Sequence, residues 1–151
     1  MTKWPKTIPQ LSPEQLDARE KWMRLWHETL PNKYGSVERF NHGFPAALYK
    51  PSKTKSRTLE VGAGLGEHAG WENLDGQEYH MLEYRKEWAD ELRTRHPGLQ
   101  SVHGDIQKRL DFPDGHFDRV IAIHVLEHLP DLPKALAEIH RLLRPGGVFD
   151  I

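Results

Sequence analysis

The chain has 151 residues, with 21 basic and 22 acidic side chains and a formal net charge of −1. That length suits one domain with a core of its own, and the balanced charge gives no bulk attraction for nucleic acid. With no cysteine there are no disulfides or thiolate metal sites, and no apolar run reaches the ~18 residues of a membrane span.

Residues 1–12 carry Pro5 and Pro9 among polar side chains and read as an extended arm, with no apolar stretch that would make a secretory signal. A cytoplasmic α/β protein is the expectation. Ser12-Pro13-Glu14-Gln15 begins a helix, with serine as cap, proline in the first turn and glutamine closing a capping box. Leu16, Trp22, Leu25, Trp26 and Leu30 fall mostly on one side of that helix, which should end before Pro31. Such a side packs against the main domain or, as the functional alternative, forms a lid over a pocket. Residues 31–56 are punctuated by Pro31, Gly35, Gly43 and Pro45 and read as irregular, with a short helix over 36–41 capped by Ser36. The basic stretch 51–57 reads as a solvated connector rather than a nucleic-acid patch.

The stretch Thr58-Leu-Glu-Val-Gly-Ala-Gly-Leu-Gly-Glu-His68 organises the rest. A short buried strand breaks into a turn rich in glycine and then into the start of a helix. Glycines let a ligand approach the backbone, and unpaired amides at a helix start point towards it. A dinucleotide fingerprint, G-x-G-x-x-G, would need glycine where Glu67 stands, whereas this chain has Gly62, Gly64 and Gly66. Glu60, inside the strand, suits a cationic or amine-bearing ligand better than a pyrophosphate. The pattern Leu-Glu-Val-Gly-Ala-Gly-Leu-Gly resembles motif I of the S-adenosylmethionine-dependent methyltransferases with a Rossmann-like fold.

Three further features stand in the order that this resemblance implies. A second strand, 78–83, closes on Glu83, 21 positions after Gly62, the spacing at which a carboxylate meets a ribose diol. Tyr84 follows and could lie against the adenine. A helix over 85–95 turns Trp88, Ala89 and Leu92 inward and stops at Pro97-Gly98. A third strand, 99–103, leads to Gly104-Asp105-Ile106, where the resemblance implies Asp105 at the adenine amino group and Ile106 lining the base. Phe117-Asp-Arg-Val-Ile121 resembles the family's entry into strand four, which runs over 119–123 and ends at His124. Asp131 caps a helix with Leu132, Leu136, Ile139 and Leu143 at helical spacing, and a fifth strand begins at Val148.

The resemblance implies a three-layer Rossmann-like fold with a mostly parallel sheet over 57–151, truncated at its fifth strand, behind an N-terminal helical extension or lid over 1–56. It implies S-adenosylmethionine as cofactor, with Glu60, Gly62, Ala63, Gly64, Gly66 and His124 at its methionine end. The acceptor is expected to be a small molecule or a sugar hydroxyl, with Tyr34, Phe40, Asn41, His42 and Phe44 as candidates for its wall. Neither a nucleic-acid nor a membrane partner is indicated. Glu127 and His128, just past strand four, are candidates for the base that takes the acceptor's proton. Leu-Glu-His also occurs at a metal site in quinone-biosynthesis O-methyltransferases, which carry a further acid where this chain has His124, so no metal is assigned. The alternative is a methyltransferase-like protein that binds cofactor or partner without turnover.

Overall fold

The computed structural model describes residues 4–33, 35–51 and 55–151. The expectations for Tyr34, for residues 1–3 of the arm and for 52–54 of the connector lie outside the described residues.

Five strands form one parallel sheet: β1 Ser56–Val61, β2 Gln77–Glu83, β3 Gln100–His103, β4 Phe117–Ile121 and β5 Leu143–Asp150. Their order is β3-β2-β1-β4-β5, with β1 paired to β2 from Ser56 opposite Gln77 to Val61 opposite Leu82. The chain departs from β1 in both directions, so the strand order reverses between β1 and β4. Ligands bind at that kind of switch point, outside the carboxyl ends of the strands.

Helix α1 spans Pro13–Lys33, α2 Gly35–Glu38, α3 Phe44–Leu48, α4 Lys86–Arg95 and α5 Leu132–Leu142, with a π-helical turn, Arg39–Gly43, between α2 and α3. On one face of the sheet Leu59, Val61, Leu82, Phe117 and Val120 pack against Ala135, Ile139 and Leu142 of α5. On the other, Tyr79, Met81 and Ile121 meet Leu92 of α4, Ala63 of the glycine turn and Ala69 just after it. The three-layer Rossmann-like arrangement is present, with helices ahead of it. Among the described residues no helix is long and apolar enough to cross a membrane.

Several local expectations need correction. Helix α1 runs through Pro31 to Lys33, although a proline cannot donate the helical hydrogen bond. Its apolar side does not pack: Trp22 is 67% exposed, and Leu16, Leu25 and Trp26 are also open. The polar side docks instead. Glu20 lies 3.2 Å from Arg85, Arg24 3.0 Å from Glu91, and the His27 ring stands edge-on to Trp88 at 5.0 Å. The outer surface of α4 offers charges and an indole, which that side matches.

Residues 35–48 form successive helical turns rather than an irregular stretch. Gly43 does not break them, because Trp71 lies where its Cβ would be, at 3.1 Å, and glycine allows that approach. Strand β4 begins at Phe117 and ends at Ile121, two residues earlier than expected, and β5 begins at Leu143, its pairing with β4 irregular between Phe117 and Arg119. The buried side of α5 is Ala135, Glu138, Ile139 and Leu142, while Leu136 is exposed. Glu138 sets that rotation by accepting the Leu110 amide at 2.7 Å and holding Arg141. Asp131 caps α5 as expected, accepting the Lys134 amide at 3.3 Å.

Candidate functional site

Strand β1 ends at Val61, and the chain turns back under the carboxyl end of β2. The amides of Gly62 and Ala63 both donate to the Leu82 carbonyl, at 2.8 and 3.0 Å. Gly62 has φ +68° and Gly64 φ +61°, a region that side chains rarely adopt. A Cβ on Gly62 would stand 2.5 Å from Val125, and one on Gly64 2.7 Å from the His27 ring. The turn is thus roofed by α1 on one side and by the loop after β4 on the other. Ala63 and Gly66 are buried, and Gly62 is the exposed member.

Glu83 closes β2 beside this turn. Its Oε2 accepts the Gly64 amide at 3.1 Å, and its Oε1 accepts the Arg85 amide at 2.9 Å. The Arg85 guanidinium lies 3.4 Å from Oε1 and reaches on to Glu20 of α1. A carboxylate held by two backbone donors and a cation has little freedom to turn away. The glycine turn and the strand-two acid, 19 positions apart at Gly64 and Glu83, are therefore in direct contact.

Tyr84 is exposed and, with His103, Gly104 and Asp105, lines an open depression of about 440 Å³ floored by Leu110 and Phe112. Asp105 is fixed through Oδ1, which accepts the Gln107 amide and the Gln107 side chain, each at 3.0 Å. Ile106 is buried in the core beside Leu110.

Glu60 stands apart from this crevice, with only 5% of its surface exposed. It accepts the Tyr79 hydroxyl at 3.0 Å. Burial pushes its carboxyl up to about 8, against the Tyr79 hydrogen bond and with Glu67 and Glu72 adding to the rise. At neutral pH it is largely an uncharged hydrogen-bonding group rather than an anion aimed at a ligand.

His124 sits three residues past β4 with φ +55°, the one side-chain-bearing residue with positive φ among those described. An amide nitrogen only donates, so Asn41 Nδ2 donates to His124 Nε2, at 2.9 Å. Glu127 and His128 lie on a short 3₁₀ turn, Leu126–His128. Glu127 Oε1 stands 3.9 Å from both His124 Nδ1 and His128 Nε2, and all three side chains are more than half exposed. Among the described residues no three His, Asp or Glu side chains converge as metal ligands. The structure thus joins Gly62, Gly64 and Glu83 in one cradle and sets Tyr84 and Asp105 around the neighbouring depression. His124, Glu127 and His128 form a separate open group beyond β4.

Sequence reasoning missed a buried polar network on the sheet face opposite α5. Arg119, fully buried on β4, donates to Glu72 at 2.8 Å, to Asp150 at 2.6 Å and to the Pro45 carbonyl at 3.3 Å. Its guanidinium also lies over the Tyr49 ring at 4.3 Å. Beyond Glu72 come His68, His42 and Glu38. The available signal was the spacing: Glu38 and His42, and again His68 and Glu72, are an acid and a histidine four positions apart.

Residues 59–151 match the family described as "Methyltransferase domain". The chain is 34% identical over 108 residues to a sterol 24-C-methyltransferase of Aspergillus fumigatus, covering 66% of this chain and 28% of that protein. It is 37% identical over 97 residues to a fatty-acid O-methyltransferase of Mycolicibacterium smegmatis, covering 62% of this chain and 35% of that one. The chain therefore spans about a third of the length of these relatives. The solved CurJ carbon methyltransferase superposes with a TM-score of 0.70 at 21% identity, over 92% of this chain and 41% of that one, a likeness of fold. With more than half of its length matched and the cradle assembled in the expected order, the chain belongs to the methyltransferase domain family, whose S-adenosylmethionine-dependent members take their methyl group from that cofactor.

Proposed function

We propose that this chain carries the cofactor half of an enzyme that transfers a methyl group from S-adenosylmethionine to an oxygen of a small molecule. The observation that carries the reading is the contact between Glu83 and the Gly64 amide, which ties an oriented carboxylate to the glycine turn. The residues fit that cofactor. Gly62 is exposed at the turn, where a side chain would collide with Val125, the buried Glu83 closes β2 beside it with both oxygens accepting backbone amides, and Tyr84 and Asp105 border a depression wide enough for a base. When bound, the sulfonium supplies an electrophile already activated by its charge, so the protein's work is to position, exclude water and take a proton.

In this reading Glu83 accepts from the ribose hydroxyls, Asp105 and Tyr84 hold the adenine beside Ile106, and Gly62 to Gly66 border the methionine end with His124. Glu60 supports the turn from beneath. His128, oriented by Glu127, takes the proton of the acceptor oxygen. The helices ahead of β1 act as a lid over the turn, with His27 closest to Gly64. The stacked pair Phe40 and Phe44, 5.7 Å between rings and both exposed, lies on the same short helical segment as Asn41. Their position favours an acceptor with apolar surface over a sugar, which accords with relatives named for sterols and fatty acids. The second reading, cofactor binding without turnover, draws on the roof that α1 makes over the glycine turn.

Calorimetric titration with S-adenosylmethionine, S-adenosylhomocysteine and NAD tests the cofactor. Both sulfur ligands should bind, and Glu83→Ala should weaken them by about tenfold or more, as expected for hydrogen bonds to a charged group. NAD binding in their place would overturn the reading. His128→Ala should lower turnover on a panel of hydroxyl and carboxyl acceptors while leaving cofactor affinity unchanged. Binding with no transfer to any acceptor would favour the second reading.

A further inference from the structure

His42 and His68 meet through their Nδ1 atoms, 3.1 Å apart. Each ring turns its other nitrogen to a carboxylate: His42 Nε2 lies 3.0 Å from Glu38 Oε2, and His68 Nε2 2.9 Å from Glu72 Oε1. Both rings are nearly closed to water. An ionised carboxylate only accepts, so each Nε2 carries a hydrogen. The contact between the two Nδ1 atoms needs one hydrogen, held by either side. Hydrogen bonding at all three contacts then takes three hydrogens on the four ring nitrogens.

The surroundings suit one charge and no more. Burial alone would raise the Glu72 carboxyl, yet the His68 hydrogen bond and the Arg119 guanidinium bring it below its ordinary value. Burial, then His68, pushes the His42 ring below its ordinary value, against the pull of Glu38 and with His124 adding to the fall. Arg119 is itself tied to Asp150, and the buried Glu60 and Tyr79 stand behind Glu72 on the sheet face. A second proton on the pair would set two N–H groups head to head, and loss of the shared one would oppose two lone pairs.

The pair also joins two parts of the chain. His42 lies on the π-helical turn Arg39–Gly43, and His68 on the 3₁₀ turn His68–Trp71 that follows the glycines. The same π-helical turn presents Asn41 to His124, whose backbone is strained. Such turns recur where a side chain must be aimed. We propose that His42 and His68 form a one-proton clasp that seats the π-helical turn on the cofactor turn and so positions Asn41 on His124. Only the role of His124 rests on the methyl-transfer reading; the clasp stands on its own geometry. Asn41 and His42 are positioning residues, acting through His124.

The test uses the full chain without cofactor or acceptor. Side-chain nitrogen NMR of the histidines is read beside amide exchange of residues 39–44, from about pH 5 to pH 9. Three of the pair's four nitrogens should be protonated together in the middle of that range, and protection of the turn should be bell-shaped, falling about tenfold on each limb as a charge-assisted hydrogen bond is lost. His42→Asn places an amide at the Nδ1 position that can donate or accept, so protection should persist and become flat with pH. His42→Ala should lose protection at every pH. Two independently titrating histidines, or a flat wild-type profile, would overturn the clasp. So would a metal ion retained in stoichiometric amount whose removal abolishes protection, since a nitrogen pair at this separation also suits two ligands of one cation. An intact clasp in a chain that binds neither sulfur ligand would overturn the methyl-transfer reading and leave this one standing.

Discussion

On the face of the sheet covered by α5, Leu59, Val61, Leu82 and Val120 meet Ala135, Ile139 and Leu142 in an apolar layer. On the opposite face the same strands turn in Glu60, Tyr79 and Arg119, each nearly as buried. The first face is held by contact and by water left behind, which is tolerant of direction. The second is held by a guanidinium whose partners, Glu72, Asp150 and the Pro45 carbonyl, come from three other parts of the chain. A directional cluster fixes where the segment 35–49 sits, and a misplaced partner there leaves a buried charge alone. The apolar face thus supplies the body of the domain, and the polar face registers the helices ahead of β1 against it.

The two faces should respond differently to substitution. Arg119→Met keeps volume and removes the charge, leaving Glu72 and Asp150 without their cation. Breaking a buried ion pair from one side costs about 3–5 kcal/mol, so urea unfolding should show that loss together with early exchange of amides over 39–48. If stability fell while those amides kept their protection, Arg119 would not be what seats the segment. On the other face, Leu142→Ala removes a fully buried side chain and should cost about 3 kcal/mol, within the range for large-to-small core changes. Its loss should be the same from pH 5 to pH 8 as long as the ionisable groups of that layer, Glu138 with Arg141 and His80 beside Phe117, keep their settings. A pH-dependent loss would mean that the faces are coupled.

Much of the apolar face was legible from sequence, because unbroken or alternating apolar runs mark buried strands whatever they pack against. So was the cradle, since Gly62, Gly64 and Glu83 act through spacing along the chain. What stayed hidden depended on partners far apart in sequence. The face of α1 that docks was misread because periodicity groups Leu16, Trp22 and Trp26 together without saying which side finds a partner. Arg85 just ahead of α4, and Trp88 and Glu91 on it, decide that, and they favour Glu20, Arg24 and His27. The clasp joins rings 26 positions apart, and each of its histidines has an ordinary local setting. Glu60 reads from the sequence as a ligand-facing charge, whereas Tyr79 on the neighbouring strand holds it.

Glu60 also offers the mildest contrast between the faces. Its carboxyl is raised to about 8 by burial, whereas an unfolded chain would leave it near its ordinary value of 4.5. Between those values the folded state holds a proton that the unfolded state has released. Stability from this group is therefore intact below about pH 4.5 and declines as the pH rises through 8. Glu60→Gln keeps an oxygen for the Tyr79 hydroxyl and removes the ionisation. The variant should match the wild type near pH 5 and exceed it by on the order of 2 kcal/mol near pH 9, read from urea midpoints at each pH. Leu142→Ala should shift the whole profile down without changing its slope, and combining the two changes should add. A gap between Glu60→Gln and wild type that stays constant with pH would mean that the carboxyl is already ionised in the fold. The polar face would then carry a second anion beside Glu72, and Arg119 would be balancing three carboxylates rather than two.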